Sequence, residues 1–163
     1  MALRQDWSAH PCPIARSLDV LGDPWVMLIL REAFTGTRRF EKFRSHLDIA
    51  DNVLSKRLQL MVDAGLLERS VYRGEQRSHN EYLLTEAGTE LLPLLHTLAI
   101  WGERHTPAPE RRAHMTILHS VCGEVTTSAE VCSNCGERLT PETTQWKRQW
   151  ISRNPVELQS AEA

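Results

Sequence analysis

Two short stretches near the C-terminal end have the residue types and spacing of a metal site. His119-Ser-Val-Cys122-Gly123 is followed by Cys132-Ser-Asn-Cys135-Gly136, with nine residues between Cys122 and Cys132. Each half reads ligand, two residues, cysteine, glycine, the spacing of a knuckle whose backbone N–H groups turn towards thiolate sulfur. His119, Cys122, Cys132 and Cys135 together supply the four nitrogen and sulfur ligands that tetrahedral Zn²⁺ takes. A ribbon whose cysteines pack without metal, and a Cys132–Cys135 redox pair, are the competing readings. Any zinc here would be structural, because four protein ligands leave no open position for catalysis.

The fourth cysteine stands apart. Cys12 lies between Pro11 and Pro13 at the start of a helical stretch. A small thiol there can simply pack. It can also react, since a helix N-terminus lowers a thiol pKa and His10 and Arg16 are near in sequence.

Residues 51–64 carry a different chemistry. At 100° per residue Leu54, Leu58 and Met61 share one side of a helix, with Asn52, Ser55, Lys56, Gln59 and Asp63 opposite. Asp51 is the expected N-cap and Gly65 the expected residue beyond the C-cap. An ordinary amphipathic surface helix has this pattern. So does a recognition helix, whose amides, hydroxyls and cation bond to base edges in the major groove.

The elements that must position these groups are mostly helical. Ile14, Leu18 and Leu21 recur at helical spacing until Gly22; Asp23-Pro24 then caps an apolar helix from Trp25 to about Phe34. Phe40, Phe43 and Leu47 mark a third helix, preceded by Arg38-Arg39. Leu66–Tyr72 and Glu81–Thr85 read as two strands joined by the polar tip 73–80. Thr85-Glu86 caps a helix to about residue 105, with an apolar stripe of Leu91, Leu94, Leu95, Leu98 and Trp101 and a kink at Pro93. The winged part has its own core, so this stripe is assigned to a second subunit. The expected organisation is a winged helix-turn-helix domain at 10–105, dimerising through 86–105, and a zinc-ribbon-like module at 114–141. A short helix and frayed tail follow at 142–163, with Trp146 and Trp150 at helical spacing. The fold class is mainly α with a small β-hairpin wing.

Cys12-Pro13-Ile14, Leu21-Gly22-Asp23-Pro24-Trp25, Leu28-Ile29-Leu30-Arg31, Arg39-Phe40, Leu54-Ser55-Lys56-Arg57-Leu58, Gly65-Leu66 and Tyr82-Leu83-Leu84-Thr85 give residues 10–104 a resemblance to the HxlR-type transcriptional regulators. The resemblance implies a dimeric winged helix-turn-helix protein that binds double-stranded DNA, with some members sensing oxidants or electrophiles through a cysteine where Cys12 stands. The second cysteine of some relatives has no counterpart in 13–121. Ala50-Asp51-Asn52 departs from the usual helix start, so operator preference does not carry over.

Net charge is -2 over 163 residues, yet residues 36–80 hold nine Lys/Arg against six Asp/Glu, a local excess of three. That asymmetry suits a DNA face. Asn52, Ser55, Lys56 and Gln59 are expected to read bases. Arg38, Arg39, Arg57, Arg73 and Arg77, with Ser78 and His79 on the wing, are expected to hold phosphates, the wing near a minor groove. His46, His79, His96, His105 and His114 are expected at the surface or an interface. No Gly-rich phosphate loop, nucleophile elbow or His-Glu-x-x-His motif points to an enzyme. With no long apolar run and no signal-like start, a cytoplasmic, nucleoid-associated repressor is expected, with an oxidant or small molecule as inducer and no membrane partner. Alternatives are a protein-interaction module using the C-terminal ribbon and a regulator answering a non-covalent ligand.

Overall fold

The computed structural model describes residues 6–73, 78–107 and 114–161. Four helices open the chain: α1 (Pro13–Leu21), α2 (Pro24–Phe34), α3 (Phe40–Leu47) and α4 (Asp51–Asp63). The Asp23 carboxylate accepts from Trp25 N at 2.9 Å and starts α2 as its N-cap. α2 is the central helix, burying Val26, Ile29, Leu30, Ala33 and Phe34. α4 begins one residue earlier than its expected cap. Ala50 is the N-cap, and Asp51 sits in the first turn, 3.5 Å from Arg44. A carboxylate there still favours the positive end of the helix. At the other end Gly65 takes φ 71°, letting Gly65 N reach Val62 O and Leu66 N reach Met61 O. This Schellman arrangement aims the chain into the first strand.

The strands β1 (Leu67–Arg73) and β2 (Ser78–Leu84) pair antiparallel from Leu67↔Leu84 to Arg73↔Ser78. The helices and this hairpin form a winged helix-turn-helix. Arg77 lies outside the described residues, as do the side chains of Arg73, Ser78 and His79.

The expected kinked helix at 86–105 is two helices, α5 (Glu86–Thr89) and α6 (Leu92–His105). Thr85 caps the first through Gly88 N. Pro93 sits in the first turn of α6, where its missing N–H costs nothing. Leu92 and Leu95 of α6 face the core, whereas Leu94, Leu98 and Trp101 are exposed. Leu95 is therefore a core residue of its own chain, not an interface residue.

The C-terminal part departs most from expectation. In place of a helix, the segment after residue 141 forms strands β5 (Thr144–Arg148) and β6 (Val156–Glu157). They join β3 (Met115–His119) and β4 (Glu124–Thr126) in a four-stranded antiparallel sheet of order β4-β3-β5-β6. Thr144, Trp146 and Arg148 alternate inwards, so the operative period is two. The helical spacing of Trp146 and Trp150 is incidental: one ring is fully buried and the other exposed. This sheet is not a separate body. Ile117, Trp146 and Leu158 belong to the same core cluster as Phe34, Leu54 and Leu92. Gln159 N bonds to Phe34 O and Ala161 N to Thr89 Oγ1, fastening the tail along the winged part. Among the described residues no helix is long and apolar enough to cross a membrane.

Candidate nucleic-acid interface and candidate metal centre

α4 buries Leu54, Leu58 and Met61 completely and leaves Asn52, Ser55, Lys56 and Gln59 exposed. The fold thus brings the four expected base-reading side chains onto one open face. Gln59 is already engaged there. Its Nε2 donates to Asp63 Oδ1 and its Oε1 accepts from Arg69 Nη2, both at 2.7 Å. The Arg69 guanidinium lies 5.7 Å from the centre of the Tyr82 ring, a cation–π contact across the hairpin, and its bond to Gln59 ties α4 to β1.

Arg57 does not stand on this face. Its Nη2 lies 2.6 Å from Asp23 Oδ2, and its side chain is only 29% exposed. It joins α4 to the start of α2 instead of reaching outwards for phosphate. Arg39 is half exposed and pairs with Glu81 at 3.1 Å. The Arg38 carbonyl accepts from Tyr82 N, fixing the entry to α3 against β2.

The two knuckles converge as their spacing requires. The ligating atoms of His119, Cys122, Cys132 and Cys135 all lie within 4.8 Å of one another. Cys122 and Cys132 sulfurs are 3.7 Å apart. His119 Nδ1 is 3.4 Å from Cys122 Sγ and 3.3 Å from Cys135 Sγ. A tetrahedron with Zn–S of ~2.3 Å and Zn–N of ~2.0–2.1 Å has edges of about 3.8 Å between sulfurs and about 3.6 Å between sulfur and nitrogen. The cluster has the size of such a site.

The halves repeat in detail. Gly123 N donates to His119 O at 2.8 Å and Gly136 N to Cys132 O at 2.9 Å. Both glycines take positive φ, 75° and 77°, a conformation that costs a side-chain-bearing residue ~1–2 kcal/mol. Backbone N–H groups of Cys135 and Asn134 point at Cys132 and hold its thiol down at about 6, in the range where it is thiolate at neutral pH. At Cys122 the Glu124 N–H favours the thiolate, but burial and the neighbouring thiols outweigh it and push that pKa up. A cation among the sulfurs would remove that opposition. His119 is fully buried, turns Nδ1 to the sulfurs, and leaves Nε2 without a hydrogen bond, 3.9 Å from Glu137. The four residues can hold a metal.

Cys12 is exposed at the N-cap of α1, its N–H donating to His10 Nδ1 at 3.1 Å. Arg16 turns its Nη1 to the carbonyls of His10 and Pro11. α1 buries no residue. Its Ile14 and Leu18 remain 69% and 57% exposed. With Leu21, Met27, Leu94 and Leu98 they line an open apolar groove of about 510 Å³. Sequence reasoning named the α6 side of this face and missed α1, although the helical spacing of Ile14 and Leu18 carried the signal.

Two buried polar contacts were also missed. Arg148 Nη1 meets Glu32 Oε1 at 2.5 Å in the core, and Arg148 Nη2 donates to Thr35 Oγ1 at 3.0 Å. Glu32 also receives Arg31 and His46. His96, expected at a surface or interface, is fully buried. Its Nδ1 lies 2.9 Å from Ala129 O, and Trp146 Nε1 donates to its Nε2 at 3.0 Å.

A helix-turn-helix with a hairpin wing and an open polar face on its second helix defines a DNA-binding transcriptional regulator. The HxlR-like helix-turn-helix family model matches residues 20–110. The HTH-type transcriptional regulator Rv3095 of Mycobacterium tuberculosis is 39% identical over 127 residues, spanning 78% of this chain and 79% of that one. The chain belongs to the HxlR-like helix-turn-helix family. Among solved structures, the candidate transcription factor PA1607 superposes with TM-score 0.68 at 36% identity, covering 92% of this chain and all of that one. The winged part alone cannot account for that span, which takes in most of the C-terminal sheet. The redox regulator HypR in its oxidised form matches with TM-score 0.54 at 31% identity over 60% of this chain and 100% of its own.

Proposed function

We propose that the chain is a homodimeric repressor that reads a pseudo-palindromic operator with α4, and that its ribbon holds one structural Zn²⁺. The observation that carries the first part is the division of α4 into a fully buried apolar side and an open face of Asn52, Ser55, Lys56 and Gln59. In this reading Asn52, Ser55 and Lys56 contact base edges, and Gln59 joins them by releasing Arg69 or Asp63. Arg38 and Arg39 at the start of α3, with Arg73, Arg77, Ser78 and His79 on the wing, hold phosphates; Arg57 holds α4 in place. The groove between α1 and α6 is the dimer face, with Leu91, Leu94, Leu98 and Trp101 facing the second copy. Zinc at His119, Cys122, Cys132 and Cys135 would supply cross-linking and charge neutralisation and, with four protein ligands, no catalysis. Cys12, exposed on the helix that borders the dimer face, is the proposed sensor of oxidants or electrophiles, in keeping with the likeness to HypR.

The test is selection of duplexes from a random pool by the full-length protein, followed by titration at several salt concentrations. Recovery of a two-fold symmetric sequence, bound with an affinity that falls steeply and log-linearly with salt, is expected. Failure to retain any duplex overturns the regulator reading. Native mass spectrometry of protein purified without chelator is expected to show one zinc per chain; a metal-free chain would leave the ribbon as a packed, unligated module.

A further inference from the structure

The loop that carries the second knuckle also carries a contact to α6. Between Thr127 and Leu139 only Cys132 and Leu139 are buried. The rest of the loop is held by a few hydrogen bonds: backbone ones such as Cys132 N to Glu137 O and Leu139 N to Glu130 O, and side-chain ones such as Ser133 N to Thr126 Oγ1 and Asn134 Nδ2 to Val125 O. Segments with so few buried side chains depend on a cross-link to stay placed. Ala129, three residues before Cys132, lends its carbonyl to His96 Nδ1 of α6.

His96 has no freedom in this. Ala129 O can only accept and Trp146 Nε1–H can only donate, so the ring is neutral with its proton on Nδ1. Burial lowers its pKa, which keeps it so. If the loop moves away, a fully buried N–H loses its acceptor, a cost that favours movement of α6 as well. The same stretch of α6 carries Leu92 and Leu95 into the core and Leu94 and Leu98 onto the proposed dimer face.

We propose that metal loading of the ribbon controls DNA affinity, with His96 transmitting the state of the second knuckle to α6 and so to the spacing of the two α4 helices in the dimer. This rests on the reading of the protein as a zinc-bearing, dimeric DNA-binding regulator. It makes the ribbon a sensing element in its own right: removal of the metal, by a chelator or by an oxidant that converts two ligating thiolates to a disulfide and is itself reduced by two electrons, releases the operator.

The experiment compares zinc-loaded protein with protein stripped by chelator and checked for metal by native mass spectrometry. Both are titrated against a duplex that the loaded protein selects from a random pool. The stripped protein is expected to bind about tenfold more weakly, within the usual range of allosteric coupling, and one equivalent of Zn²⁺ should restore it. The His96→Phe variant should keep its zinc while its DNA affinity no longer follows metal. As a measurement on the natural chain, the His96 Nδ1–H resonance should be present in loaded protein and lost on stripping. Equal affinity of loaded and stripped protein overturns the proposal and leaves the regulator reading standing. A zinc response unchanged in His96→Phe, or a persistent Nδ1–H signal in stripped protein, overturns the route. A chain that selects no duplex, or never retains zinc, fails the underlying reading and takes the proposal with it.

Discussion

Arg148→Met removes one partner of the most deeply buried charge contact between the C-terminal sheet and the winged part. Glu32 is fully buried and Arg148 only 6% exposed. Taking the cation away also breaks the bond to Thr35. Removing one member of a buried pair costs ~3–5 kcal/mol, because the other charge stays buried without compensation. Here Arg31 still reaches Glu32 Oε1 at 3.0 Å and His46 reaches Oε2 at 3.2 Å, so the low end, ~3 kcal/mol, is expected. At 2–4 °C per kcal/mol for a chain of this size, the melting temperature should fall by ~6–12 °C. Thermal unfolding in the presence of zinc, followed by circular dichroism, measures it. Glu32→Gln combined with Arg148→Met removes both charges and should recover most of the loss. A single variant within ~1 kcal/mol of the natural chain would refute the reasoning, since Arg31 and His46 would then be sufficient partners.

Gly136→Ala places a side chain at φ 77° and should destabilise the second knuckle by ~1–2 kcal/mol, read as a lower chelator concentration for half removal of zinc. Because burial lowers the His96 pKa, the unfolded chain binds its proton first; the His96 contribution to stability is therefore complete above ~6.5 and is lost as pH falls from there towards the folded value. Urea midpoints measured from pH 7.5 to 5 should show that slope, and His96→Phe should flatten it. Cys12→Ser should abolish release of the selected duplex at diamide concentrations that leave the ribbon zinc bound; a variant that still releases it with zinc in place would exclude Cys12 as the sensor. Leu98→Glu, on the exposed side of α6, should shift sedimentation from dimer towards monomer without unfolding the chain.

What could be read in advance was local. The Asp23 cap with Pro24, the Gly65 exit from α4 and the Thr85 cap each act within a few residues, so their geometry follows from neighbouring sequence. The knuckles are local too: ligand, two residues, cysteine, glycine fixes each half, and the short run through β4 and residues 127–131 brings the halves together. The contacts that escaped are distant ones. Arg148 meets Glu32 across 116 residues and Trp146 meets His96 across 50, and neither residue type marks its partner in the sequence. The strand at Thr144–Arg148 was mistaken for helix because two tryptophans happened to stand four apart, while the alternation of Thr144, Trp146 and Arg148 hid a charged residue on the inward face. Leu95 turns inwards because it stands 100° round α6 from Leu94: Leu94, Leu98 and Trp101 share the outer side, and Leu92 and Leu95 share the inner one. Arg57 reads as one more cation beside Lys56 until the fold sets Asp23 against it.

The central claim is that the open face of α4 reads bases. The affinity of natural and Lys56→Ala protein should be measured against the selected duplex and every single-base-pair substitution of it, at one salt concentration. The account predicts that Lys56→Ala loses ~1–3 kcal/mol on the selected duplex and becomes indifferent to the base pair at one position of each half-site. A loss of the same size on every duplex, with sequence preference unchanged at all positions, would contradict it.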